Sequence, residues 1–345
     1  MQSLQQNETF NKEATLQTVA NQNSLGKPSL SPFLTKTLEG SDFCNAFYCQ
    51  KHNMIIACFL NSTIEFYDAT ALLPLERRKT QQLDGYVTCL SYYDKTDTFL
   101  LGCDSGSIYA YHADNHELKL LRNCEEKIRI RRVSFVNSKY YVFGHLLLRG
   151  FTIGSLDNED FYKVNSQNSD CSDLVNIPKR NLLLASYKNG LVRTYYTKKL
   201  PNLKVLCSVK AHQAGESIEN ININGKEYAV TAGGNDLTVK IWHFVKGKMR
   251  LLRIIHTEER VFQFVYLENY KMIAAPRASF REIRFWNILS GKLEKTFFYH
   301  EKREIWDLFL MKDKNIIGGV SGIGIDDYCC DSIEFIQLHQ AGGKF

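Results

Sequence analysis

One interval recurs along this chain. Short strand-like stretches closing on a large, mostly aromatic residue occur at 63–67, 107–111, 147–151, 191–195, 238–242, 282–286 and 332–336. They end on Tyr67, Tyr111, Phe151, Tyr195, Trp242, Trp286 and Ile336, in steps of 44, 40, 44, 47, 44 and 50. A second pattern, apolar-x-x-apolar-x-apolar, keeps the same beat. It reads Phe43/Ala46/Tyr48, Val87/Leu90/Tyr92, Ile130/Val133/Phe135, Ile218/Ile221/Ile223, Val261/Phe264/Tyr266 and Ile305/Leu308/Leu310, with a weaker copy at Ser172/Val175/Ile177. Its steps are 44, 43, 42, 46, 43 and 44. His212, His256 and His300 add a third marker at steps of 44, and Trp242 and Trp286 each follow their histidine by 30 residues. Separate markers sharing one period mean one supersecondary unit repeated, and such units bury their apolar faces only against one another.

Composition fits a strand-rich chain with a large core. Of the 345 residues 44% are hydrophobic and 23% charged, which excludes wholesale disorder. Aromatics reach 12%, with 18 Tyr and 21 Phe against 3 Trp, and that enrichment favours strands. The net charge of +6 comes from 43 Lys and Arg interspersed with 37 Asp and Glu, so it forms no nucleic-acid-binding stripe. Ten cysteines occur without a CxxC pair or zinc-type histidine spacing, as in a reduced protein with buried thiols; Cys329-Cys330 is the one vicinal pair. The first 28 residues are rich in Gln, Asn and Ser and carry no period, so 1–28 is expected to be a disordered tail and 29–345 the folded unit. No basic start with a following apolar run marks a secretory signal, and the longest apolar stretch, 54–60, is far too short to span a bilayer. A cytoplasmic protein is the expectation.

A period of 40–45 residues built from short strands and polar turns is the mark of a β-propeller. At this point the chain resembles the WD40 repeat family. The fifth unit carries the resemblance best, with Ala211-His212 in place of Gly-His, then Asp236, Thr238 and Trp242. It extends over residues 34–340 and implies an all-β, seven-bladed WD40 β-propeller. In that family His, Asp, Ser/Thr and Trp form a buried chain of hydrogen bonds within a blade. The resemblance therefore assigns His212, Asp236, Thr238, Trp242, His256, Trp286 and His300 to a structural network. Phe280 stands at the Asp position of the sixth unit, and Asn61, Ser105, Asn189 and Cys330 at that of others, so these blades are expected to rely on apolar packing.

Ring closure is also legible. Each unit is preceded by an outer-strand segment, but the last has none after it, while 34–38 precedes the first unit with nothing to attach to. The N-terminal strand is expected to complete the seventh blade, which removes exposed sheet edges.

Partner-binding candidates lie on the top rim, formed by the turns before the inner strands and those between the second and third strands. They are Tyr86, Arg129, Arg131, Arg260, Arg277, Arg281, Arg303 and Trp306, because arginine and aromatic residues dominate binding hot spots. The seventh unit carries about six extra residues in the loop 321–330, the place on a rigid scaffold where function collects. Arg132, with Asn45, Asn220, Gln263 and Asp307 at equivalent positions, predicts a polar channel that offers a phosphate or an acidic peptide a site.

No P-loop, dinucleotide fingerprint or GxSxG is present, and no catalytic, metal or cofactor site is expected. The function expected is a non-enzymatic scaffold that gathers proteins on its rims as a subunit of a larger complex, with no nucleic-acid partner. The alternative is a phosphoinositide- or endosomal-membrane-binding adaptor. Two resemblances raise it: Leu148-Arg149-Gly150 is similar to the apolar-Arg-Arg-Gly motif of phosphoinositide-binding propellers, with one Arg missing. Lys27-Pro28-Ser29-Leu30, Leu38-Glu39-Gly40 and 102–107 are similar to the propellers of WD-repeat proteins that carry a FYVE finger, whose paired cysteines are absent here.

Overall fold

A computed structural model of the chain describes residues 29–70, 76–124, 128–145, 149–166, 169–223, 225–277, 282–298, 304–322 and 330–341. They form antiparallel strands arranged as seven four-stranded blades. The expected 1–28 tail lies outside the described residues, as do His300, Arg281 and Arg303.

The strand β1 (Ser29–Cys49) serves two blades. Its second half is the inner strand of blade one, followed outward by β2 (Met54–Phe59), β3 (Thr63–Asp68) and β4 (Glu76–Gln82). Blade two is β5–β8 (Val87–Tyr93, Thr98–Cys103, Ser107–His112, Glu117–Asn123), and blade three is β9–β12 (Ile130–Phe135, Tyr140–His145, Gly150–Ser155, Phe161–Asn165). Blade four is β13–β16 (Cys171–Ile177, Leu182–Tyr187, Leu191–Tyr196, Lys204–Lys210), and blade five is β17–β20 (Gly215–Ile223, Lys226–Gly233, Thr238–Val245, Lys248–His256). Blade six is β21–β24 (Val265–Leu267, Met272–Pro276, Glu282–Asn287, Leu293–Phe298). Blade seven is β25–β27 (Glu304–Met311, Ile316–Gly322, Cys330–Ala341), completed by the first half of β1.

Closure follows the expected scheme and extends it. Pairing with β27 begins at Ser29↔Ala341 and runs past Leu34↔Ile336 to Glu39↔Ser332, with a register shift between Leu34 and Lys36. After a second shift the chain crosses to β2, from Phe43↔Phe59 to Cys49↔Met54. One continuous strand thus stitches the first blade to the last.

The period has a direct structural cause. The core is seven separate apolar layers, one between each pair of neighbouring blades. Val142 and Phe151 of blade three, for example, pack on Leu183 and Tyr195 of blade four. Every blade therefore needs the same two apolar faces. The strand-end aromatics Tyr111, Tyr195, Trp242 and Trp286 are buried in these layers. Phe151 is buried too, but it lies at the start of β11 (Gly150–Ser155) rather than closing a strand over 147–151 as the repeat suggested. Two of the phenols keep a polar partner: Tyr111 OH lies 2.6 Å from His116 Nδ1, and Tyr195 OH lies 2.6 Å from Tyr187 OH. The described cysteines are free thiols, most of them buried, and burial raises Cys89 to about 11 and Cys44 to about 12. Among the described residues no helix is long and apolar enough to cross a membrane.

Candidate functional site

Blade five holds the polar network in full, with one member exchanged. The indole N–H of Trp242 donates to Thr231 Oγ1 at 2.9 Å. Thr231 Oγ1 lies 2.7 Å from His212 Nε2, and His212 Nδ1 lies 3.0 Å from both carboxylate oxygens of Asp236. The tautomer that satisfies every group has Nδ1–H donating to Asp236 and Nε2 accepting from the threonine hydroxyl. Thr238, the threonine the sequence singled out, reaches His212 Nδ1 only at 3.4 Å. The bridging hydroxyl is Thr231, one strand inward on β18. Equivalent β-ladder positions hold Ala57, Leu101, Ala185, Ala275 and Gly319, so this hydroxyl marks blade five alone among those blades. The site is too tight for any side chain at Gly233, where a Cβ would fall 2.0 Å from Asp236 Oδ1.

Burial pushes the His212 imidazole below its usual 6.5, against the pull of Asp236, in keeping with a neutral ring. Unfolded, the ring takes up a proton near 6.5; folded, it does so only at lower pH. The network's contribution is thus complete above 6.5 and is lost as pH falls below it. Thermal melts from about pH 7 to about pH 5 are expected to show wild type losing more stability than His212→Gln over that window; equal slopes would contradict the assignment.

Other blades are locked by different polar sets, beyond the greater reliance on apolar packing that was expected. In blade two Asp84 takes the histidine's place, accepting hydrogen bonds from Ser105 Oγ at 2.9 Å and Ser107 Oγ at 2.5 Å. In blade seven Ser321 Oγ lies 2.7 Å from Ser332 Oγ and donates to Glu334 Oε1 at 3.2 Å. In blade six Glu282 stands at the Thr238 position, 4% exposed, and receives Arg277 Nη1 and Arg284 Nε at 2.8 Å each. His256 departs from the expected network: its side chain is exposed at the end of β20, opposite Thr238, and Trp286 is buried beside Ala275, which offers it no hydroxyl.

The channel is polar, as expected, but its arginine is already matched by a carboxylate. Its inner space of about 300 Å³ is lined by Asn45, Arg132, Glu219, Gln263 and Asp307, among others. Arg132 Nε donates to Asp173 Oδ1 at 3.0 Å, and the other oxygen of Asp173 accepts the backbone N–H of Ile218 at 3.0 Å. The one arginine is therefore held by a carboxylate, and two more carboxylates share its space. Burial raises Glu219 to about 8 and Asp307 to about 6, and Glu219 Oε2 and Asp307 Oδ1 are buried without a hydrogen-bond partner in the described structure. With Arg132 taken up by Asp173, a phosphate or acidic peptide finds no unmatched cation among these lining residues, which speaks against the channel site expected from sequence. Asp173 and Glu219 were missed because the ladder starts the inner-strand unit at Cys171 in blade four and Gly215 in blade five, ahead of the Ser172 and Ile218 frames read from the sequence. The opening register shift itself is shared with blades one, two and seven, and in blades one and seven Asn45 and Asp307 were placed correctly. Asn220, the expected channel residue, lies on β17 in a position whose side chain is not described.

On the top rim the structure brings two candidates together. Arg129, in the loop before β9, places its guanidinium 5.7 Å from the ring centre of Tyr86, in the loop before β5. Arg260 is exposed in the loop before β21, and next to it Phe262, unmarked in the sequence, is 48% exposed. Arg277 is engaged inward: it pairs with Glu259 and Glu282 and so fixes the upper loops of blade six rather than projecting from them. Arg131 is half-buried on β9, its charge felt at the Cys171 thiol of the next blade. Trp306 lies on β25, and only its backbone is described. Within the loop 321–330, residues 323–329 are outside the described part.

The Leu148-Arg149-Gly150 similarity to a lipid motif has a structural explanation for its glycine. Gly150 has φ +127°, and a Cβ there would sit 2.0 Å from the carbonyl oxygen of Val164. The backbone needs glycine whatever binds nearby. Arg149 is exposed beside it.

Among solved structures, the chain is similar to the Cps50 (Swd1) β-propeller domain of Myceliophteria thermophila, with a TM-score of 0.72 at 10% identity. The match covers 89% of this chain and 99% of that one, so the likeness is one of whole fold. No family model matches the sequence, and no curated protein does.

Proposed function

We propose that this protein is a non-enzymatic interaction scaffold of the cytoplasm, a monomeric ring that binds other proteins with its top rim as part of a larger complex. The observation that carries this is the Tyr86–Arg129 pair, an aromatic and a guanidinium within cation–π distance of each other between blades two and three. Residues of these types, held by a rigid frame and outside any β-ladder, supply large contact area at little entropic cost. Arg260 and Phe262 repeat the combination on blade six. The blades beneath are cross-locked and packed, so the rim does not have to be ordered on binding. Among the described residues no group of three or more His, Cys, Asp or Glu side chains could hold a metal.

The test is affinity purification of the tagged full chain from its own cells. Proteins that co-purify with wild type are expected to be lost from Tyr86→Ala/Arg129→Ala, while its melting curve stays that of wild type. Each hot-spot truncation costs about tenfold or more in affinity. An unchanged set of partners in the double variant would rule out this rim.

A further inference from the structure

The opposite rim carries a second site, at the lower edge between blades four and five. There the chain encloses a cleft of about 590 Å³, within the size range of small-molecule sites. Its polar lining is Arg180, Lys199, Lys204, Lys246, Tyr196 and Asn202, and no carboxylate faces it. Lys179, Lys198 and Lys248 adjoin these in sequence and are exposed, which widens the positive field.

The cleft is built rather than incidental. The loop that bears Lys199 is tied to the turn that bears Arg180 by Thr197 N–H donating to Asn181 O at 3.0 Å. A turn within that loop is closed by Asn202 N–H donating to Lys199 O at 2.8 Å. Blade five's wall is fastened to blade four by Thr194 Oγ1 donating to Gly247 O at 3.0 Å. Arg180 is aimed by Glu227, 2.9 Å away, and lies 5.4 Å from the Phe244 ring centre.

Lys246 and Gly247 form the turn between β19 and β20 with φ +50° and +77°. Such turns favour Asn, Asp or Gly at both central places. A lysine held in the left-handed region at the lip of a basic cleft spends conformational stability on placing a charge. Within the described structure, Glu227 on Arg180 is the one carboxylate paired with a cation of the cleft. Lys199, Lys204 and Lys246 have no carboxylate paired with them within the described residues.

We propose that this cleft binds a polyanionic ligand bearing two or more closely spaced phosphates, delivered as a soluble molecule or as a lipid headgroup. Lysines are compact charges suited to phosphate oxygens, and Tyr196 and Asn202 add hydrogen-bond donors to orient it. The proposal is independent of the top rim and of Arg149.

The test uses the full chain and inositol hexakisphosphate at about 0.15 M salt, read by calorimetry and by thermal shift. Wild type is expected to bind one equivalent and melt higher. Each lysine is worth about tenfold in affinity as a charge-assisted partner, so Lys199→Ala/Lys204→Ala/Lys246→Ala should lose at least about a hundredfold. An equally charged control, Lys95→Ala/Lys119→Ala/Lys139→Ala, should stay within about threefold. Sedimentation with phosphatidylcholine vesicles containing a phosphorylated phosphatidylinositol separates the sources. Cleft-dependent sedimentation supports a headgroup, and cleft-dependent binding of the soluble probe alone supports a free ligand. Three results would overturn the proposal: no binding by wild type, equal loss in the control, or a doubly phosphorylated peptide binding more tightly through the same lysines.

Discussion

Removing residues 29–40 is expected to abolish the cooperative unfolding of the whole protein. The deleted segment supplies the outer strand of blade seven, paired with β27 at ten positions from Ser29↔Ala341 to Glu39↔Ser332. Each net backbone hydrogen bond contributes about 1 kcal/mol, so the loss is on the order of 10 kcal/mol. That equals the whole stability of a typical domain. The deletion also leaves β27 with a bare edge, a template for aggregation. Circular dichroism melts and size-exclusion chromatography check both outcomes. A truncated protein that stayed monomeric and melted like the full chain would show that the ring does not depend on this strand.

Thr231→Val is expected to be costly for a change that preserves shape. It leaves the Trp242 indole N–H and His212 Nε2 buried without partners, at about 1–3 kcal/mol each. The melting temperature should fall by several degrees. Thr238→Val, at the residue the sequence pointed to, is expected to cost less than about 1 kcal/mol, since its contact with His212 is long at 3.4 Å. Thermal denaturation of the two variants decides which threonine bridges the network. A larger loss from Thr238→Val would restore the assignment drawn from the motif.

These outcomes mark where the sequence was legible. The blade count and closure could be read because every interblade layer imposes the same demand, and seven layers repeat it. Trp242, His212 and Asp236 could be read because they sit at fixed offsets within that unit. Thr231 could not, since the motif directs attention to the third strand while the hydroxyl comes from the second. Asp84 and Ser107, which join Ser105 at the Asp position, escaped notice for a similar reason: this lock exchanges histidine for aspartate. Asp173 and Glu219 escaped because the apolar frames read for blades four and five, from Ser172 and Ile218, begin later than the ladder places them, at Cys171 and Gly215. The lower cleft draws its cations from positions 180, 199, 204 and 246, so no run announces it. The densest basic run, 127–132, did attract notice, yet Arg132 within it is held by Asp173.

The strand shared by the first and last blades also sets an order of events at the ribosome. Ser29–Glu39 leaves the exit tunnel well before its partner β27, which follows only after roughly 300 more residues, about 15–60 s later at ordinary rates of synthesis. Through that interval blades one to six can stack in turn, but the ring stands open, with an unpaired leading segment and one growing apolar face. Completion is then a single late zippering of two chain segments that have waited apart. The period of greatest vulnerability for this protein is thus its own synthesis, and a chaperone that shields the leading strand would serve it more than one acting after release.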